Sequence, residues 1–79
     1  MGDKLKVIKS KELVKILLSK GFVISRQKGS HVFLVKESER RATVVPMHNK
    51  DVGVGLLRKI LNDCGLSGED LVSWDSFAN

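Results

Sequence analysis

An α+β fold in the order α-β-β-β-α, with a three-stranded antiparallel sheet and both helices on one of its faces, is what the sequence predicts. Three observations carry this. Apolar residues recur at helical spacing across residues 11–20; the period switches to two between Phe22 and Val45, interrupted by a glycine turn and a polar cluster; and helical spacing returns from about Gly55. A three-stranded meander flanked by two helices packs most simply in two layers.

In the first helix, Leu13, Val14, Leu17 and Leu18 form the apolar stripe. Ser10 is the expected N-cap, Glu12 favours the first turn, Lys20 the last, and Gly21 supplies the left-handed stop. Residues 22–27 and 31–36 are then two strands joined by a short hairpin at Lys28-Gly29-Ser30. Glu37-Ser38-Glu39-Arg40 is a polar turn into a third strand, Arg41 to Val45, which Pro46 ends or leaves at an edge. Val52-Gly53-Val54-Gly55 lacks the pattern of a phosphate-binding loop and suits a flexible connection. Leu56, Leu57, Ile60, Leu61 and Cys64 share one face of the second helix, which Gly65 stops. Ser67-Gly68-Glu69-Asp70 resembles a capping signal for a short last helix holding Leu71, Val72 and Trp74; Trp74 and Phe77 either pack back on the body or anchor a partner. The second strand is apolar on both sides, Val32 and Leu34 alternating with Phe33 and Val35, so the sheet face without helices is a candidate ligand, dimer or partner surface.

The chain has 79 residues, which suits one domain over 1–79 whose core alone rarely gives more than about 3–5 kcal/mol of net stability. Its single cysteine, Cys64, excludes an internal disulfide framework and points to a core thiol in a reducing compartment. No apolar run approaches the ~18–20 residues of a membrane span, and Met1-Gly2-Asp3-Lys4 does not open a signal peptide, so a cytoplasmic protein with no membrane association is expected. Charge is unevenly placed. Residues 1–59 hold all 14 basic groups against five acids, a net of +9, while residues 60–79 hold four acids and no Lys or Arg. A basic body of this kind attracts a polyanion or an acidic partner.

His31 is the residue best suited to chemistry, because imidazole transfers protons near neutral pH and a hairpin lip exposes it to a substrate outside the sheet. Gly29 and Ser30 leave backbone N–H groups open to a phosphate, which Arg26 and Lys28 can neutralise; Arg40, Arg41 and Lys50 are further candidate phosphate contacts. On these residues alone, a strand histidine beside a glycine selected for positive φ accounts for the same pattern. His48, after Pro46, is a candidate second acid or base, or a turn or partner contact. His31, His48, Asp51 and Cys64 lack familiar zinc spacings, so no metal is expected.

Ser10-Lys11-Glu12-Leu13, Gly21-Phe22, Arg26 through His31, Val45-Pro46-Met47-His48 and Leu57 through Ser67 occur in the order and spacing of one family. Over about residues 9–73 the chain resembles the HicA toxins, the YcfA-like mRNA interferases. One element differs: family members commonly read Gly-Thr-Leu-Arg where this chain has Gly55-Leu56-Leu57-Arg58. The resemblance implies a fold like a double-stranded-RNA-binding domain, ribosome-independent cleavage of mRNA without a cofactor, a single catalytic histidine at His31, and neutralisation by a HicB-type antitoxin. It also raises a homodimer or a hetero-oligomer with that antitoxin. Two other classes fit the residues: an RNA-binding module without catalysis, and a protein-interaction domain using the open sheet face.

Overall fold

A computed structural model of the chain describes residues 7–48 and 50–71. The expected positions Val72, Trp74 and Phe77 lie outside the described residues. The order is β1 (Ile8–Lys9), α1 (Ser10–Ser19), β2 (Val23–Lys28), β3 (His31–Lys36), a 3₁₀ turn (Glu37–Glu39), β4 (Arg41–Pro46), β5 (Asp51–Val52) and α2 (Val54–Cys64). Strands β2-β3-β4 form the antiparallel sheet, in that spatial order. Val32 and Leu34 of β3, Val45 of β4, Leu13 and Leu17 of α1, and Leu57, Ile60, Leu61 and Cys64 of α2 make one buried cluster. Both helices therefore cover the same face of the sheet, the α+β arrangement of a double-stranded-RNA-binding domain. Each fully buried leucine contributes about 1.5–3 kcal/mol relative to exposure.

The two helices end alike. The Phe22 N–H donates to the Leu17 carbonyl and the Gly21 N–H to that of Leu18, both at 3.1 Å, with Gly21 at φ +99°. The Leu66 N–H donates to Leu61 at 2.8 Å and the Gly65 N–H to Asn62 at 3.1 Å, with Gly65 at φ +70°. Each is a Schellman closure, and each carries an apolar residue back to the core just after the left-handed glycine. Residues 68–71 are helical, and Asp70 Oδ2 accepts from the Ser67 N–H at 2.8 Å, the reciprocal half of a capping box.

Four expectations are corrected. Ser10 is not the N-cap of α1; Lys9 holds that place, while Ser10 is buried inside the first turn and its hydroxyl donates to the Pro46 carbonyl at 3.2 Å. Ile16, not Leu18, faces inward: Ile16 is fully buried and Leu18 is 43% exposed, because Ile16-Leu17-Leu18 is apolar throughout and only the sheet selects the buried pair. Leu56 is likewise exposed, off the α2 stripe. Residues 52–55 are not a loose connection. Val52 is buried and pairs with Ile8, Asp51 pairs with Lys9, and Gly53 leads into α2 with its carbonyl accepting from the Leu57 N–H at 2.8 Å. The Ser10 N–H donates to the Lys50 carbonyl at 2.8 Å, so this small β1-β5 ladder ties together the starts of both helices. No helix among the described residues is long and apolar enough to cross a membrane.

Candidate active site at the hairpin lip

β2 and β3 are joined by two residues, Gly29 and Ser30, between the paired Lys28 and His31. Gly29 has φ +58° and Ser30 does not share the positive sign, as in a type II′ turn, whose twist matches that of the flanking strands. Nothing lies within 4 Å of where a Cβ on Gly29 would stand, so the backbone of the turn is open to a ligand.

Strand alternation decides which side chains share a face. With Val32 and Leu34 turned into the core, His31, Phe33 and Val35 point away from the helices. Directly opposed residues share a face, so Lys28 (opposite His31) and Arg26 (opposite Phe33) accompany them. A bulge between Ile24 and Arg26 makes this possible by shifting the register of β2 by one residue. The Arg26 guanidinium carbon stands 4.7 Å from the centre of the Phe33 ring, a cation–π contact that holds the cation over the open face. Phe33 is a site residue that the sequence reading missed, although its i+2 spacing from His31 signals the shared face. Among the described residues no carboxylate lies within ion-pair distance of Arg26 or Lys28. Both helices direct their N-termini, the positive end of the helix dipole, toward this end of the sheet, as the Ser10 contacts with Pro46 and Lys50 show.

β4 completes the lip. Pro46 opposes His31, and the Met47 N–H donates to the Ser30 carbonyl, carrying the ladder one step past the proline. His48 is thereby held beside the turn: its ring centre is 6.3 Å from that of His31, and its Nδ1 is 3.5 Å from Ser30 Oγ. Both histidines are exposed. A shallow groove of about 460 Å³ wraps the β4 edge of the sheet: His31, Phe33, Val35, Ala42, Val44 and Pro46 line it from the open face, and Leu56, Lys59, Ile60 and Asp63 of α2 from the helix side.

The structure thus brings together Arg26, Lys28, Gly29, Ser30, His31 and His48. It does not bring Arg40 or Arg41 to them. Arg41 opposes Lys36 at the far end of the sheet, about 17 Å from Pro46 at strand rise, and its guanidinium is engaged by the Asp63 carbonyl at 3.3 Å and by Glu39 at 3.7 Å. Arg40 closes the 3₁₀ turn in a left-handed conformation at that same end. Cys64 lies in the core, where burial first and the neighbouring Asp63 charge second push its thiol up to about 11, so it stays protonated and unreactive near neutral pH. Among the described residues no three His, Cys, Asp or Glu side chains converge as a metal site.

No curated protein matches the chain. A family described as HicA toxin of bacterial toxin-antitoxin matches residues 10–66, from the first residue of α1 to the one that closes α2. That span takes in the whole three-stranded sheet, the histidine lip and both helices, and it makes the chain a member of the HicA toxin family, with the toxin role and the need for an antitoxin that membership carries.

Proposed function

We propose that the chain is an mRNA interferase, a metal-independent endoribonuclease acting in the cytoplasm, and that a HicB-type antitoxin silences it by covering the hairpin lip. The carrying observation is the placement of exposed His31 on the same open sheet face as Arg26 and Lys28, two cations without a carboxylate partner among the described residues. Cleavage proceeds by attack of an RNA 2′-OH on the adjacent phosphate. His31 moves a proton in that step, Lys28 and Arg26 offset the charge that develops on the phosphoryl oxygens, and the open backbone at Gly29 and Ser30 lets the phosphate approach. The part of the groove on the open face, where His31, Phe33, Val35, Val44 and Pro46 line it, suits an unpaired stretch of RNA whose bases can lie against Phe33 and Val44.

His31→Ala tests the reading. Its exposed side chain contributes little packing, so the variant keeps its thermal transition while losing about 10²–10⁴-fold in cleavage rate and no longer arresting growth. Wild-type cleavage continues in excess EDTA and leaves a 2′,3′-cyclic phosphate or the 3′-phosphate formed from it. Cleavage that stops in EDTA and returns with a divalent ion overturns the mechanism. For the antitoxin, hydrogen exchange of the complex shows protection over residues 26–35; protection confined to residues after Gly65 overturns this account of inhibition.

A further inference from the structure

We infer that His48 is a second catalytic residue, carrying the proton transfer at the scissile phosphate that His31 does not; this rests on the reading of the chain as an RNA-cleaving enzyme. Transesterification at phosphorus has two proton problems. The 2′-oxygen must lose its proton as the O2′–P bond forms, and the 5′-oxygen must gain one as the P–O5′ bond breaks. The two oxygens stand on opposite sides of the phosphorus, so one imidazole cannot serve both without moving. Two imidazoles flanking the phosphate serve both at once: one accepts the 2′ proton, the other, as imidazolium, donates to the 5′-oxygen. The products are a 2′,3′-cyclic phosphate and a 5′-hydroxyl, with no water consumed and no change of oxidation state.

His48 is built into that position. The Met47 N–H to Ser30 carbonyl bond holds the chain beside the turn after Pro46 has ended β4, which places the His48 ring centre 6.3 Å from that of His31, the planes tilted by 48°. A proton-transfer group must come within about 2.6–3.2 Å of its oxygen, so rings at this separation reach different oxygens of one phosphate. Ser30 Oγ, 3.5 Å from His48 Nδ1, engages that nitrogen and leaves Nε2 for substrate. Lys28, opposite His31 across the hairpin, lies on the same face as that histidine and is a charged group that can neutralise a phosphate held between the rings.

The experiment compares wild type, His31→Ala, His48→Ala and His48→Asn on a short RNA under single-turnover conditions from about pH 5 to 9. Wild type gives a bell-shaped rate profile with two limbs. His48→Ala and His48→Asn keep the wild-type melting transition, cleave at least about 10²-fold more slowly, and lose one limb of the bell, with partial recovery in free imidazole. Asparagine can still hydrogen-bond Ser30 but cannot transfer a proton, so restored cleavage in His48→Asn shows a structural role and overturns the inference. Cleavage by His48→Ala within a few-fold of wild type, or slower cleavage that retains both limbs, overturns it as well, while an inactive His31→Ala leaves the enzyme reading standing. A wild-type protein that cleaves no RNA removes both.

Discussion

The two ends of the sheet use their cations differently. At the far end, Lys36 pairs with Glu39 at 3.1 Å, Arg41 with Glu39 and with the Asp63 carbonyl, Lys20 with Asp70 at 3.0 Å, and Lys59 with Asp63 at 3.1 Å. The Thr43 hydroxyl also donates to Asp63, and both helices present their negative C-termini there. At the lip, Lys28 has no such partner among the described residues, Arg26 rests on an aromatic ring, and the helix N-termini add to the positive field. Lys20, Lys36, Arg41 and Lys59 are already paired within the fold, whereas Arg26 and Lys28 at the lip remain available to a polyanion. A net charge cannot distinguish the two ends, and the pairing can.

The largest expected contrast is between the glycines that serve each end. A Cβ on Gly65 would stand 2.6 Å from Arg41 Cζ, and the φ of +70° disfavours any L side chain. Gly65→Ala is expected to cost about 1–3 kcal/mol, read as a lowered denaturation midpoint, while cleavage per folded molecule is unchanged. Arg41 can swing aside, but only by leaving Asp63 and Glu39. Gly29→Ala meets no atom and carries only the backbone penalty, about 1–2 kcal/mol, yet it puts a methyl group where phosphate approaches and so lowers cleavage more than stability. Equal effects of the two variants on stability and on cleavage would erase the distinction between the ends.

Charge removal sharpens the same comparison at smaller amplitude. In a His31→Ala background that binds RNA without cutting it, Arg26→Gln and Lys28→Gln are each expected to weaken binding and to reduce the log–log salt slope by about 0.7. Arg41→Gln leaves that slope unchanged and lowers the denaturation midpoint, since its guanidinium is a packing and hydrogen-bonding part of the α2 closure. A slope that responds to Arg41 and not to Lys28 would move the RNA path to the far end.

What could be read in advance follows the range of the interaction. The two helices, the three strands, the glycine stops at Gly21 and Gly65 and the cap at Ser67 are local, each set by residues within about one turn or one hairpin, and periodicity exposes them. The β1-β5 ladder joins two residues to two others some forty positions away, with no pattern long enough to detect. The exchange of Ile16 for Leu18 in the core depends on the angle at which α1 meets the sheet. At the site, His31 and its hairpin were legible as a turn lip, but the approach of His48 depends on the β3-β4 register and on one bond from Met47 to Ser30. Phe33 under Arg26 depends on the bulge in β2, and Arg41 read as a phosphate contact until its partners on α2 were seen.

The smallest predicted effect concerns acid, and it belongs to the far end. Asp70 has its carboxyl held below the usual value of 3.8, first by the Ser67 backbone N–H and then by Lys20. A carboxylate with a lowered folded-state pKa stabilises the fold fully above its unfolded-state pKa, and that contribution disappears as pH falls through the folded-state value. Asp70→Asn is therefore expected to lower the denaturation midpoint slightly at pH 7, by the equivalent of about 0.5–1 kcal/mol, and to remove part of the stability loss that wild type shows below about pH 4. Asparagine retains an oxygen for the Ser67 N–H but not its charge, so the variant weakens that bond and loses the ion pair with Lys20, a partly exposed contact. Cleavage at pH 7 is unaffected, because Asp70 serves the end of the molecule where α1 closes and the lip lies at the other. Parallel acid-unfolding curves for the variant and wild type would show that the Ser67 and Lys20 contacts do not act through the Asp70 charge, and a change in RNA cleavage would couple the two ends that the charge pattern keeps apart.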